Sequence, residues 1–312
     1  MLKYTKSLIK LILPVLAKIF IKLKVNRRVI NYLSEKSYFS NSEYDFTDII
    51  QSQLKQKKLL ALDIGAQGGF NSDNFFSKKY DVFFEKILVE PIETAANNLK
   101  KNNKYVIQKG FWDTKTKKKI YIMENRLGSS SMFKPNKKLF DLHNIKKKDY
   151  SNYDVTKIEE VECDSLENSL KELNIKKLDY LKIDTQGSEF QILRGLGNYR
   201  PLLIKLEAHI FSMYDEVPSW QEILSLLYQL NYVLVDWKGI GSHSTRVPAE
   251  IDLIFVPNFN NDQGIEFIKK NEEKIISLLL IFGQINLLKI MLKKINSNFT
   301  RIISDFDDRY FN

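Results

Sequence analysis

A short apolar run that ends in an acid and a glycine-rich turn constrains the fold of this chain most. Residues 58–70 read KLLALDIGAQGGF. An apolar run followed by turn residues is typical of a buried strand in a parallel sheet. Gly65, Gly68 and Gly69 let the backbone turn sharply and let a ligand lie close to it. Ligands of open α/β sheets bind beyond the carboxyl ends of the strands, so we expect a ligand site at this turn.

The pattern of the turn narrows the choice of ligand. Its form is D-I-G-A-x-x-G, and Gln67 stands where a dinucleotide fingerprint requires a second glycine. No phosphate-binding P-loop pattern occurs in the sequence. The turn looks like motif I of the class I methyltransferases, which bind S-adenosylmethionine. The alternative is an ordinary turn between a strand and a helix, and the pattern continues as a predicted helix over residues 71–79.

Composition limits the class and the partners of the protein. The chain has 312 residues, 44% of them hydrophobic and 28% charged, which is ordinary for a globular protein. Cys163 is the single cysteine, which rules out an intrachain disulfide and a cysteine-based zinc site and fits a cytoplasmic location. Residues 1–28 hold eight of the 48 basic residues and no acid, which leaves 40 basic against 38 acidic residues elsewhere. This near-neutral body argues against nucleic acid as a partner.

The basic N-terminal segment has two interpretations. Lysines interrupt the apolar residues over 2–25, and the longest uncharged run, 11–17, is far shorter than the roughly 20 residues that span a membrane. Residues 1–28 would form a basic amphipathic helix in peripheral contact with the inner face of a membrane. Alternatively, the helix packs on the domain with its lysines in water. Pro14 would bend or break either helix.

A second apolar run, over residues 85–91, also ends in an acid. Glu90 follows the glycine turn by about 20 residues, where an acid in nucleoside-binding α/β folds accepts hydrogen bonds from ribose. Pro91 ends the strand and leaves Glu90 at its carboxyl edge. The alternative for Glu90 is a solvated acid at a strand end.

The third predicted strand covers residues 105–112. Phe111 and Trp112 would form an apolar wall for an adenine ring, and Asp113 would accept a hydrogen bond from it. Alternatively, the two aromatic residues belong to the core and Asp113 is an acid in a turn. Residues 117–124 alternate as an antiparallel hairpin arm does. Asp164 is predicted to cap a helix, with Glu167 as its capping-box partner.

A second glycine turn follows the apolar run in residues 178–189, LDYLKIDTQGSE, and brings Asp184 to the same edge of the sheet. The next strand, 201–209, places Glu207 and His209 on one face at its end. His209 is a candidate general base near neutral pH, although a lone histidine is more often structural. A later loop that contains His243 and Arg246 is a candidate for contact with the substrate.

These runs predict an α/β fold of seven strands, mostly parallel, with one antiparallel strand at the end. We expect a helical extension over 1–57, a ligand-binding domain over 58–260 and a helical extension over 261–312. Residues 275–288 carry no charge, which predicts a helix hidden in a homodimer or against the N-terminal helix; a helix lying on a membrane is the alternative.

With both glycine turns in view, the chain resembles the FkbM family of S-adenosylmethionine-dependent methyltransferases. The motifs that carry the resemblance are LDIGA at 62–66, VEP at 89–91, and LKIDTQGSE at 181–189 with ILRG after it at 192–195. The resemblance covers roughly residues 58–257. It implies a Rossmann-like fold and O-methylation of a hydroxyl, often on a sugar or a polyketide.

The resemblance also implies roles for single residues. Asp63, Gly65 and Ala66, with Gly68, would hold the amino acid end of the cofactor. Glu90 and Pro91 would lie at the ribose, and Asp184 beside the methyl group. This chain has Gln186 where the family more often has glutamate, and Gln67-Gly68 also departs from the common pattern. The loss of a charge at Gln186 argues against a metal.

The sequence therefore predicts an O-methyltransferase whose acceptor is a saccharide or a glycan precursor, with Asp184, Glu207 or His209 as the base. A nucleic-acid methyltransferase is the first alternative, but the N/D-P-P-Y/F tetrapeptide and the Pro-Cys nucleophile of such enzymes do not occur. A non-catalytic interaction module that keeps the fold is the second, and the presence of Asp63, Glu90 and Asp184 argues against it.

Overall fold

The computed structural model of the chain describes residues 45–73, 75–143, 145–240, 249–304 and 306. The basic segment 1–28 and the loop residues His243 and Arg246 lie outside the described residues. Within the described residues, no helix is both long enough and apolar enough to cross a bilayer.

Ten strands form two sheets in the described residues. They are β1 Leu59–Ile64, β2 Phe84–Val89, β3 Tyr105–Ile107, β4 Gly110–Trp112, β5 Thr116–Ile122, β6 Lys157–Ser165, β7 Tyr180–Ile183, β8 Leu203–His209, β9 Tyr232–Ile240 and β10 Glu250–Pro257. The larger sheet has seven strands in the order β3-β2-β1-β7-β8-β10-β9. Only β10 runs against its neighbours, since it pairs antiparallel with both β8 and β9. The predicted seven-strand, mostly parallel sheet is confirmed.

The eight α-helices of the described residues surround this sheet. They are α1 Thr47–Leu54, α2 Glu93–Lys100, α3 Leu166–Glu172, α4 Glu189–Arg194, α5 Trp220–Gln229, α6 Asp262–Lys270, α7 Glu272–Ile281 and α8 Ile285–Lys294. Every residue of β7 and of β8 is buried, because helices cover both faces of the parallel strands. Lys182 and Lys205 lie in these strands, and each is paired with carboxylates.

The C-terminal helices pack within the same compact unit as the sheet, which spans Phe46–Asp307. All residues from Ile275 to Ile281 in α7 are buried, and α7 packs against α1. Lys274 Nζ lies 2.7 Å from Asp179 Oδ2, just before β7. The uncharged run is therefore largely covered by contacts within one chain. The predicted homodimer through the C-terminal helices stays a prediction.

The helix predicted over residues 71–79 is wrong. The described residues there form turns and then a 3-10 helix, Lys78–Phe83. Asn71 has a left-handed backbone, with φ of 52°, and its side-chain amide donates to the carbonyl of Phe76 at 2.9 Å. A residue in that conformation cannot begin an α-helix. The side chains of Phe70, Phe76 and Phe84 pack together and hold the turn instead.

The strand predicted over residues 105–112 is two strands in two sheets. β3 pairs with β2 in the larger sheet, whereas β4 pairs with β6 in a three-stranded sheet of order β4-β6-β5. Gly110 permits this pairing, because a Cβ there would lie 2.5 Å from Cys163 Sγ. β5 is antiparallel as predicted, but its partner is the distant β6 rather than a hairpin arm.

The helix cap predicted at Asp164 is also wrong. β6 continues to Ser165, and the Ser165 side chain accepts from the amide of Asn168 at 3.1 Å at the start of α3. The carboxylate of Asp164 instead accepts from the amide of Ser165 at 2.7 Å. The hydroxyl one residue later is therefore the cap, and β6 is longer than the sequence pattern suggests.

Candidate functional site

A cavity of about 260 Å³ opens at the carboxyl ends of β1, β2 and β7. Its lining combines backbone, acidic, hydroxyl and apolar groups. The lining includes Gly65, Gln67, Glu90, Pro91, Lys109, Phe111, Ser131, Asp184, Gln186 and Ser188. Both glycine turns found in the sequence therefore meet at one cavity, where the topology of the sheet predicts a ligand.

The two turns interlock through backbone contacts. The amide of Asp184 donates to the carbonyl of Ile64 at 2.9 Å, and the amides of Gly65 and Ala66 both donate to the carbonyl of Val89. Gly65 has φ of +80°, and a Cβ atom there would lie 1.8 Å from the carbonyl oxygen of Asp184. Glycine is thus required at position 65 for the contact between the strands. Gly68 also has a positive φ, +86°, and Ala66 is fully buried.

Asp63 does not line the cavity. Its side chain is buried, and Oδ1 lies 3.3 Å from Lys182 Nζ, which is also 3.6 Å from Asp184 Oδ2. Burial alone would lower the pKa of Lys182, but the carboxylates of Asp63 and Asp184 outweigh it and raise that pKa. The lysine is therefore charged and links the carboxylates at the ends of two adjacent strands. Asp63 positions this pair rather than presenting its carboxylate to the cavity.

Glu90 lines the cavity directly after the end of β2. Its carboxylate accepts from the amide of Ile92 at 2.9 Å, which holds the side chain in place. Burial raises the pKa of Glu90 to about 7, and the hydrogen bond from Ile92 opposes that shift. The site thus holds a buried acid that gains from a ligand able to donate hydrogen bonds to its charged form.

The predicted adenine wall separates into two parts. Phe111 and Pro91 line the cavity. Trp112 instead packs against Phe133, with its ring 4.2 Å from Lys118 Nζ, and Asp113 pairs with Arg194 at 3.4 Å. Only Phe111 of the predicted aromatic pair therefore belongs to the cavity lining.

Gln186 connects the cavity to the next strand. Its backbone is left-handed, with φ of 59°, and its carbonyl accepts from the hydroxyl of Ser131 at 2.7 Å. Its side-chain amide donates to Glu207 Oε1 at 2.6 Å and lies 3.5 Å from Asp184 Oδ1. The Tyr214 hydroxyl lies 3.0 Å from its Oε1. The amide therefore bridges two of the acids predicted from the sequence.

His209 lies beyond Glu207 in a second group of polar side chains. Burial lowers the pKa of His209 to about 4, so the ring is neutral at physiological pH. Nδ1 of His209 lies 3.8 Å from Glu250 Oε1, and Nδ1 of His143 lies 3.7 Å from the same oxygen. The structure thus brings Asp184, Glu207 and His209 together, with Glu250 added.

Sequence reasoning missed Glu250 and Lys182 as parts of the site. Glu250 is the first residue of β10 and faces His209 across the antiparallel pair. An acid at the start of the one antiparallel strand lies at the same edge as the carboxyl ends of its parallel neighbours. The predicted direction of that strand was therefore a usable signal for Glu250.

The comparisons with known proteins identify one family. The sequence model of the methyltransferase FkbM domain matches residues 63–234. No protein among the curated sequences matches the chain.

Matches among solved structures are distant. A S-adenosylmethionine-dependent methyltransferase from Clostridium acetobutylicum ATCC 824 is 8% identical, with a TM-score of 0.32, over 73% of this chain and 98% of that chain. The glycopeptide N-methyltransferase MtfA complexed with sinefungin is 9% identical, with a TM-score of 0.27, over 70% and 90%. A protein described as a DNA modification methyltransferase encoded within a prophage (E. coli) is 10% identical, with a TM-score of 0.34, over 64% of this chain. This chain spans less than half of that protein, 47% of its length.

Proposed function

Because this chain belongs to the FkbM family of methyltransferases, whose domain matches more than half of its length, we propose that it methylates a hydroxyl oxygen of a saccharide or glycan precursor. Its cofactor is S-adenosylmethionine, as the sequence predicts. What we propose is that the methyl group goes to an oxygen atom and that the acceptor is a saccharide. The acids beside the cavity support this proposal.

The residues of the cavity fit this cofactor. Glu90 offers a buried carboxylate to the two hydroxyls of a ribose, and Phe111 offers an apolar surface to an adenine ring. Ser188 lines the same cavity, and its Oγ is buried without a hydrogen-bond partner among the described residues. A buried hydroxyl without a partner is costly, so a polar group of a ligand is expected there.

The observation that carries the proposal is the acid cluster beside the cavity. Bound S-adenosylmethionine supplies a methyl group on a positively charged sulfur. When the acceptor oxygen bonds to the methyl carbon, the carbon–sulfur bond breaks and the hydroxyl proton must pass to a base. Asp184 lines the cavity, and Glu207 is one hydrogen bond away through Gln186. We assign this proton to Asp184, the one of the three predicted bases that lines the cavity.

Positioning carries most of the remaining catalysis, since methyl transfer is an in-line displacement. The lysine between Asp63 and Asp184 and the backbone lock at Gly65 hold the cofactor edge rigid. Gln67 and Lys109 line the cavity with groups that can donate hydrogen bonds. Such groups suit an acceptor rich in hydroxyls, which supports a saccharide.

A transfer assay with radiolabelled S-adenosylmethionine tests the proposal. Methyl glycosides and lipid-linked saccharides are offered beside matched amino sugars and DNA, and the products are analysed by mass spectrometry. We expect a methyl ether on a sugar hydroxyl, and a loss of at least about 100-fold in kcat for Asp184→Asn. The exposed Glu160→Gln serves as the matched control and keeps its rate. Transfer to amines or DNA alone would contradict the assignment to a hydroxyl.

A further inference from the structure

Three ligand-type side chains converge at the edge of the sheet beyond Gln186. One ligand atom from each of Glu207, His209 and Glu250 lies within 4.8 Å of the others. The topology produces this cluster: Glu207 and His209 lie two residues apart on β8, and Glu250 is the register partner of His209 on β10. The cluster is therefore fixed by two central strands rather than by a loop.

The imidazole of His209 lacks the partner that a buried ring normally has. Its side chain is 1% exposed, and neither Nδ1 nor Nε2 has a hydrogen-bond partner among the described residues. The oxygen of Glu250 is too far from Nδ1 for a hydrogen bond, at 3.8 Å. Two unsatisfied ring nitrogens in a buried site are costly, and they point to a missing ligand.

His143 adds a second, independent indication. Its Nε2 lies 2.7 Å from the carbonyl oxygen of Phe211, so this nitrogen carries the hydrogen and donates. In the neutral ring, Nδ1 then has a lone pair, and it lies 3.7 Å from Glu250 Oε1. A lone pair that faces a carboxylate is unfavourable unless a proton or a metal ion lies between them.

Acidic side chains crowd the cluster. Glu207 and Glu250 are both buried or nearly so, and Asp184, Asp252 and Glu189 add to the potential at Glu250. Arg126 is a cation that also acts on Glu250. Buried carboxylates require protons or cations to balance them, and a divalent ion would balance two.

We propose that Glu207, His209 and Glu250 bind one divalent first-row metal ion, for which Mn²⁺ is a suitable probe. One imidazole nitrogen with carboxylate oxygens is a donor set that suits such ions. Ligands about 2.1 Å from one ion lie at most about 4.2 Å apart, so the observed spacing closes with a small movement of two side chains.

The site adjoins the acceptor side of the cavity. Gln186 lines the cavity and donates to Glu207 at 2.6 Å, so an ion bound to Glu207 would lie behind Gln186. There it would favour loss of the hydroxyl proton from the acceptor, and this consequence rests on the proposed function. Binding of the ion itself does not rest on it. The missing charge at Gln186 does not weaken this site, because Gln186 is not one of its ligands.

Metal titration of the chelator-treated full chain tests the proposal without any acceptor. Free Mn²⁺ is followed by electron paramagnetic resonance for the wild type, His209→Gln and Glu250→Gln. We expect one Mn²⁺ per wild-type chain and affinity at least tenfold weaker in each variant. Nitrogen coupling in the pulsed spectrum should identify an imidazole ligand and be lost in His209→Gln. Glu160→Gln with Glu162→Gln, two exposed acids on β6, should bind as the wild type does.

Circular dichroism and thermal melts establish whether each variant is folded. If only one of His209→Gln and Glu250→Gln folds, that variant alone is enough for the test. Absence of Mn²⁺ binding by folded wild type, or equal binding by a folded variant, would overturn the metal site. S-Adenosylhomocysteine is titrated into the same samples. If this reaction product binds and Mn²⁺ does not, only the metal site is rejected. If the product does not bind, the methyltransferase proposal is rejected.

Discussion

A Cβ atom on Gly65 would lie 1.8 Å from the carbonyl oxygen of Asp184. This contact joins the turn after β1 to the turn after β7, and the amide of Asp184 strengthens it by donating to Ile64 at 2.9 Å. The two most recognisable motifs in the sequence are therefore one structural unit. Changes in the first turn should disturb the acid at the second.

Gly65→Ala should destabilise the protein and abolish cofactor binding. Both the clash with backbone and the positive φ oppose the substitution, so we expect a loss of about 3 kcal/mol or more in the free energy of unfolding. Gly69→Ala is the matched control, because φ there is +95° but no atom lies within 4 Å of the added Cβ. Urea unfolding measures both variants; similar losses would show that the contact with Asp184 carries no weight.

Affinity for S-adenosylhomocysteine should depend on pH through Glu90. Its pKa in the folded protein is about 7, and only the charged form accepts hydrogen bonds from both ribose hydroxyls. Affinity should therefore fall as the pH falls from 8 to 6. Lys109 and Asp184 also line the cavity with charged groups, so a variant at Glu90 is needed to assign the pH dependence of the affinity. Calorimetry across this range checks the prediction, and a slope in Glu90→Gln equal to that of the wild type would assign the effect to another group.

Glu90 should also make stability pH-dependent in the opposite sense. Because burial raises its pKa from 4.5 to about 7, its stabilising contribution is complete below about pH 4.5 and is lost as the pH rises through 7. Glu90→Gln stays neutral, so it should exceed the wild type in stability at pH 8 by on the order of 3 kcal/mol and match it near pH 4.5. Thermal melts at the two pH values measure the difference, and a gap that does not change with pH would contradict the assignment.

Lys182→Met should destabilise the protein by about 3–5 kcal/mol, because it leaves buried carboxylates without their cation. Lys182 is 3% exposed and serves both Asp63 and Asp184. Adding Asp63→Asn should recover part of the loss. Lys117→Met removes an exposed lysine from two exposed glutamates and should change stability by less than about 0.5 kcal/mol. Equal losses for the two lysines would refute the role given to Lys182.

Sequence patterns predicted the parts of the fold that local periodicity encodes. The apolar runs that became β1, β7 and β8 were visible, and so was the antiparallel strand β10. The motif residues Gly65, Glu90 and Asp184 meet at the cavity, as the position of their strand ends requires. The same rule placed Glu207 and His209 near them.

The features that sequence analysis missed depend on contacts between distant residues. β4 leaves the larger sheet because Gly110 pairs with Cys163, more than 50 positions away, and no local pattern records that pairing. The helix expected after Gly69 gives way to a left-handed residue at Asn71 and packed phenylalanines. Trp112 was assigned to the cavity by proximity in sequence to Phe111, yet strand alternation turns it toward Phe133.

Calorimetric titration of S-adenosylhomocysteine into wild type and Glu90→Ala tests the central claim most directly. We predict micromolar binding that weakens at least tenfold in the variant, about 1.4 kcal/mol, which is the expected loss of a hydrogen bond to a charged group. Glu93→Ala, an exposed acid three residues away, should bind as the wild type does. Absence of binding to folded wild type would contradict the account of the cavity as a cofactor site, and unchanged binding by Glu90→Ala would contradict the role of Glu90.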